Sequence, residues 1–207
     1  PLGENPFSGV LPQPALPTRV VGPNGITRVG NQLLSELWFE NERATAERGI
    51  SRLKLEGCME LRFGLHDEVA KSQLDLLNAV RKSEIHTFGW PIGVTLENRD
   101  EYKPRPYGDG IKAEISIEDD SLSGRQTYDY WAARKNGDFY LLQSLFEDTR
   151  GEKLIFFNTR IVRVAEALLF ASNLYSNLGV SPEANLSIRV SHRGLDGRTL
   201  ASAGGTR

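Results

Sequence analysis

The dipeptide Asn136-Gly137 constrains this chain more than any other feature of its sequence. It separates two strand-like runs, Tyr128 to Lys135 and Asp138 to Leu145. Both residues tolerate positive φ, so the pair predicts a two-residue type I′ hairpin joining antiparallel strands. Upstream, Ile111, Ala113, Ile115 and Ile117 alternate with polar residues and predict a strand with one buried face. Ile50 to Leu55 and Cys58 to Leu65 read as two strands broken at Glu56-Gly57; Leu154 to Phe157 and Leu186 to Val190 read as two more. Ile85 to Leu96 is strand-like, but Gly89-Trp90-Pro91 makes it an edge strand or a bend, since proline cannot donate to a ladder. The charged, proline- and glycine-bearing stretch from Glu97 to Gly110 predicts a loop, and Glu118 opens a turn ending near Arg125.

Three segments carry helical periodicity. Asn31 is placed to cap a helix running to about Arg48, with Leu33, Leu34, Leu37 and Trp38 on its inner face and Gly49 as terminator. A second helix starts at Asp67 and places Ala70, Leu74, Leu77 and Val80 on one stripe, ending near Lys82. The longest is expected to begin at the cap Asn158 and end at Leu178, before Gly179 and Pro182. Its stripe of Ile161, Val164, Ala165, Leu168, Ala171, Leu174, Tyr175 and Leu178 predicts a largely buried helix packed across the sheet.

The expected architecture is therefore α+β: a mainly antiparallel sheet with about three helices packed on it, behind a proline-rich N-terminal arm. The arm covers residues 1–19 and contains Pro6, Pro12, Pro14 and Pro17; Pro1-Leu2-Gly3 matches the scar of a cleaved tag, which would make the chain a fragment. Residues 20–203 form one domain, opening on a short hairpin from Val20-Val21 through Gly22-Pro23-Asn24-Gly25 to Ile26-Thr27. Ser191 to Arg207 is glycine-rich and reads as frayed, with 204–207 as the tail.

Composition narrows the function classes. With 39% hydrophobic and 25% charged residues the chain can bury a core. It has no apolar run long enough for a membrane span and no secretory signal, so a cytoplasmic protein without membrane contact is expected. The single cysteine, Cys58, excludes an internal disulfide and a cysteine-rich zinc site, and its apolar surroundings predict a packed, inert thiol. The net charge of −2 is unevenly spread: residues 150–207 carry 8 Lys+Arg against 4 Asp+Glu, the rest 17 against 23. A basic C-terminal section can bind an anion or a nucleic-acid backbone, or can face acids of its own chain.

No catalytic or metal-binding constellation stands out, and no pattern requires a cofactor. His66, His86 and His192 are too far apart for a zinc motif. Gly-x-Ser-x-Gly and Walker patterns are missing, and Tyr107-Gly108-Asp109-Gly110 reads as a turn. The acid pairs Asp100-Glu101, Asp119-Asp120 and Glu147-Asp148 read as solvated turns. Arg160 and Arg163 fall in the first turns of the long helix, where cations oppose the macrodipole. They pair with acids such as Glu147 or Asp148, or join Arg189, His192, Arg193 and Arg198 in an anion or nucleic-acid site. Tyr128 and Tyr130 share one side of their strand, with Trp131 on the other; they are core, or a stacking platform for bases.

Several segments also carry a resemblance. Phe88-Gly89-Trp90-Pro91-Ile92-Gly93-Val94, Arg105-Pro106, Asp109-Gly110-Ile111, Tyr130-Trp131-Ala132 and Asn136 to Tyr140 form one set, with Leu174-Tyr175-Ser176-Asn177-Leu178-Gly179 beside it. Together they resemble the C-terminal region of bacterial Schlafen-like proteins of the AlbA type, over about residues 50–203. The resemblance implies an accessory region following an AlbA-type domain to which DNA or ATP binding is attributed; no AlbA-type core is evident, so no site residue carries over. Three function classes follow: a non-enzymatic accessory or interaction domain of a larger protein, nucleic-acid-associated or defence-related; a direct nucleic-acid-binding module using the basic section; and an unrecognised hydrolase or nuclease. Expected partners are the AlbA-type domain of the same protein, nucleic acid or a second copy.

Overall fold

A computed structural model describes residues 23–203 apart from 68, 88, 119–125 and 151–152. The Pro-rich arm, the tail at 204–207 and most of the turn before Arg125 lie outside these described residues. The strands are β1 (Cys58–Leu65), β2 (Arg105–Tyr107), β3 (Gly110–Ile117), β4 (Thr127–Arg134), β5 (Phe139–Ser144), β6 (Leu154–Phe156), β7 (Leu186–Arg193) and β8 (Thr199–Ala201). Six form an antiparallel sheet in the order β2-β3-β4-β5-β1-β7, and β6 pairs β8 in a small parallel sheet. The helices are α1 (Pro23–Arg52), α2 (Gln73–Ser83) and α3 (Phe157–Asn177). The fold is α+β, as the sequence pattern predicts.

Strand periodicity divides the core into two layers. Met59, Leu61 and Phe63 of β1 share a core with Trp131, Phe139, Leu141, α2 and α3. Cys58 shares the other core with Tyr128, Tyr130, Tyr140, Leu142 and α1. The sheet is thus sandwiched, with α1 on one face and α2 and α3 on the other. All eight residues of β1 are buried, because strands flank it on both edges and helices cover both faces. Each large apolar side chain removed from water adds roughly 1.5–3 kcal/mol.

The β4–β5 hairpin is present, but its loop has three residues. The Arg134 amide donates to the Asp138 carbonyl and the Gly137 amide to the Arg134 carbonyl, each at 2.9 Å. Only Gly137 takes positive φ, at 88°; a type I′ turn would require it of Asn136 as well. Asn136 works through its side chain, which accepts from the Asp138 amide at 3.2 Å.

Several other expectations are corrected. The hairpin expected around residues 20–27 gives way to helix from Pro23 onward, a residue tolerated in a first turn where its missing N–H would have no partner. Asn31 and Gly49 lie inside α1 rather than at its ends, and Ile50 to Arg52 is helix, not strand. Leu33, Leu34 and Leu37 are exposed; the inner face is Phe39, Glu42, Ala46, Gly49, Ile50 and Leu53. The second helix starts later than expected, at Gln73, because Ser72 and Asp75 form a capping box. Ile85 to Leu96 forms no strand among its described residues, although Ile92 and Val94 are buried. Asn158 does not cap α3: its side chain donates to the Ala203 carbonyl and accepts from the Ala203 amide. That pairing and β8 give residues 199–203 an ordered place where fraying was expected.

Candidate functional site

The six basic residues of the anticipated site do not converge. Alternation along β7 sends Arg189 and Arg193 to the α1 face, opposite Arg62 and Cys58 of β1. His192 lies opposite Met59 and so faces the α3 side. The sheet stands between the two groups.

On the α1 face the arginines meet acids. Arg193 pairs with Glu47 of α1 and lies 3.3 Å from Glu60. Arg62, 5% exposed, contacts Glu60 at 2.6 Å, Glu40 at 2.8 Å and Glu36 at 3.7 Å. Arg189 has 59% of its side chain in solvent and reaches Glu36 only at 3.7 Å. Arg198 sits apart, its side chain 4% exposed, donating to Asp148 at 2.5 Å and to the Gly194 carbonyl at 2.6 Å.

Beneath the start of α3 lies a buried polar row. Strand register aligns Ile115, Asp129, Gln143, Met59 and His192 across five strands. Arg163 reaches down to this row. It donates to Gln143 Oε1 at 2.8 Å, to the Trp90 carbonyl at 2.9 Å and to Glu166 at 2.7 Å. Arg160 donates to Glu147 at 3.2 Å. These acids explain how cations are tolerated near the helix start. They also rotate the helix: Arg163 and Glu166 occupy its inner face, while Ile161 and Leu168, expected inside, are 65% and 50% exposed.

Asp129 Oδ2 accepts from Gln143 at 2.6 Å, whereas Oδ1 has no hydrogen-bond partner among the described residues. Burial, only partly offset by Arg163 and Gln143, pushes its carboxyl up to about 7. Burial and the nearby Arg160 charge hold His192 below the usual imidazole range, and its Nε2 has no hydrogen-bond partner among the described residues. Tyr128, Tyr130 and Trp131 are all fully buried, which removes the base-stacking platform. Cys58 is buried, and burial raises its thiol further. Among the described residues no group of three or more His, Cys, Asp or Glu is placed to hold a metal ion, and no helix is long and apolar enough to cross a membrane.

Two surfaces escape the sequence reading. The first is apolar: Phe157, Ile161, Leu168 and Leu169 on the outer side of α3, with Leu186 and Ile188 on the same side of edge strand β7. The second is a cleft of about 750 Å³ on the α1 side, lined by α1, the end of β1 and the residues around Asn136. Beside it Asp138, fully buried, accepts through Oδ2 from Ser35 at 2.7 Å, Asn136 at 3.0 Å and Arg134. Gly64, one residue from the end of β1, was the available signal, because a glycine in a strand often marks a close approach.

Comparison with protein-family models, curated proteins and solved structures gave no match to this chain.

Proposed function

We propose that this chain is a non-catalytic interaction domain that associates with a second copy of itself through β7 and the outer side of α3. The supporting observation is that β7 is a terminal strand of the sheet among the described residues, and that Leu186 and Ile188 on its α3 side are exposed, as are Ile161 and Leu168 of α3. Exposed apolar side chains gathered next to unpaired backbone are an association hazard unless a partner covers them. β7 has no proline, and no charged side chain on its α3 side at Leu186, Ile188 or Val190.

Strand geometry supports a second copy as the occupant. The His66 amide donates to the Asn185 carbonyl, so odd-numbered β7 residues form the bonded pairs with β1. The amides and carbonyls of Leu186, Ile188 and Val190 therefore point outward. A two-fold axis at Ile188 pairs that residue with its mate, sets Leu186 opposite Val190 and Ser187 opposite Arg189, and keeps like charges apart. Both copies of α3 then lie on one side of a continuous sheet, as an isologous interface requires. Within a larger Schlafen-like protein, such a domain would bring two accompanying regions together.

A nucleic-acid-binding role has less support, because Arg189 alone of the six basic residues keeps more than half its side chain in solvent. Sedimentation velocity across a concentration series tests the reading. The expected result is a dimer that Ile188→Lys converts to a monomer with an unchanged melting temperature. A chain that stays monomeric throughout overturns it. So does salt-sensitive DNA binding in a gel shift that Arg189→Glu removes, since that would place function on the basic section.

A further inference from the structure

We infer that the β2 edge of the sheet, on its α1 side, binds a phosphate dianion among Arg48, Arg105 and Lys112, with the phosphate free or carried by a small molecule. Strand register brings the cations together. Arg105 lies directly opposite Lys112 in the β2–β3 pair, so both side chains leave the same face of the sheet. That face is the α1 side, because Lys112 is in turn opposite Ala132, which packs with α1. Tyr107, two residues after Arg105, shares the face, and its ring centroid stands 3.9 Å from the Lys112 ammonium. Arg48 comes from α1, and its charge reaches both Lys112 and the Tyr107 hydroxyl. Arg48 and Arg105 are exposed, and Lys112 is half-buried.

The positive charge here is unspent. Among the described residues none of the three cations forms an ion pair: Arg48 donates only to Thr45 Oγ1 at 3.2 Å, and Lys112 rests against the rings of Tyr107 and Tyr130. The two nearest acids are turned to other donors, Glu114 accepting from Tyr128 at 3.1 Å and the buried Glu42 from Tyr130. Burial, with Arg105 and Arg48 beside it, holds the Lys112 ammonium below the usual lysine range, and Glu114 and Glu42 offset this only in part. Like charges set opposite one another across a strand pair repel, and a bound anion relieves that repulsion. Two guanidinium forks and an ammonium together suit the several oxygens of a phosphate. The backbone of this edge offers little by comparison: β2 has three residues, all exposed, with Pro106 at the centre, which makes it a poor template for an added strand. A compact anion fits better than a long one, because a polyanion following α1 would meet the exposed Glu36 and Glu40.

Strands β2 and β7 are the two opposite edges of the sheet, so this inference stands or falls separately from self-association. Calorimetric titration of the chain with ribose 5-phosphate, inorganic phosphate and ribose tests it. One phosphate per chain is expected to bind, and ribose not at all. Tighter binding of ribose 5-phosphate than of inorganic phosphate identifies an ester as the source, and equal binding identifies the free anion. The double change Arg48→Gln with Arg105→Gln, on exposed residues, should weaken phosphate by about tenfold or more, as the loss of charge-assisted hydrogen bonds implies. Its melting temperature should stay level or rise, since repulsion around Lys112 is relieved. Lys112→Gln should weaken phosphate to a similar degree, and the double variant decides the matter if Lys112→Gln fails to fold. Absence of phosphate binding, equal binding of ribose, or full affinity in the Arg48/Arg105 variant would overturn the proposal. So would tighter binding of single-stranded DNA that the same variant abolishes, since the cluster would then serve a polyanion.

Discussion

Gly49 of α1 lies directly against the ring of Tyr128 on β4: a Cβ at position 49 would stand 2.1 Å from two ring atoms. Tyr128 is fully buried and donates to Glu114 at 3.1 Å, so the ring has little room to withdraw. The helix and the sheet therefore touch through a residue that contributes no side chain. Gly49→Ala should cost about 3 kcal/mol despite alanine's better helix propensity, because overpacking a filled core outweighs it. Urea unfolding of the variant checks this; a neutral or stabilising effect would show that α1 can lift off the sheet.

Asp129 should make the fold more stable in mild acid than its other groups alone would. Its carboxyl titrates at about 7 when folded, against 3.8 for the free group. Between these values the folded state holds the extra proton, so stability falls as pH rises, by on the order of 1 kcal/mol per unit. Unfolding of wild type and Asp129→Asn at pH 5 and pH 8 checks the sign: the variant should lose less between the two.

His192 acts in the opposite direction. Its folded value lies below the free 6.5, so the unfolded chain takes up the proton first and stability is lost as pH drops from 6.5 toward the folded value. His192→Gln should flatten the acid limb of the stability profile. An unchanged limb would mean that the ring protonates in place.

Arg189 and Arg193, two residues apart on one strand face, should differ sharply. Arg193→Ala removes the pair with Glu47 and one of two arginines at the buried Glu60, which keeps Arg62, and should cost about 1–2 kcal/mol. Arg189→Ala removes only an exposed, long-range contact and should fall within about 0.5 kcal/mol of wild type. Melting curves of the two single variants compare them directly.

Elements set by local chemistry were legible in the sequence. The Asn136-Gly137 hairpin, the alternation of Ile111 to Ile117 and the extent of strand β1 all depend on neighbouring residues, whereas the full burial of β1 depends on distant ones. The arrangement of α1 was not legible, because its apolar exposed leucines mimic a core stripe while its real inner face includes Gly49 and Glu42. Glu42 is buried because the Tyr130 hydroxyl donates to it from across the interface, a partner far away in sequence. The same reason hid the inner face of α3, where Arg163 and Glu166 replace the expected leucines. The cleft had only Gly64 to announce it, a glycine in a strand and no motif.

The position of β1 has a consequence for how the chain acquires its shape. This strand is made early, yet its two neighbours in the sheet, β5 and β7, come from the middle and far end of the described sequence. Until β7 has been synthesised, a strand of eight residues destined for complete burial has an open edge. Closure therefore depends on contacts of long sequence separation, which form slowly and leave adhesive edges exposed meanwhile. A nascent chain stopped before Leu186 would present β1, which carries Met59, Leu61 and Phe63, as the terminal strand. Quality control in the cell would meet this protein first as an unfinished sheet.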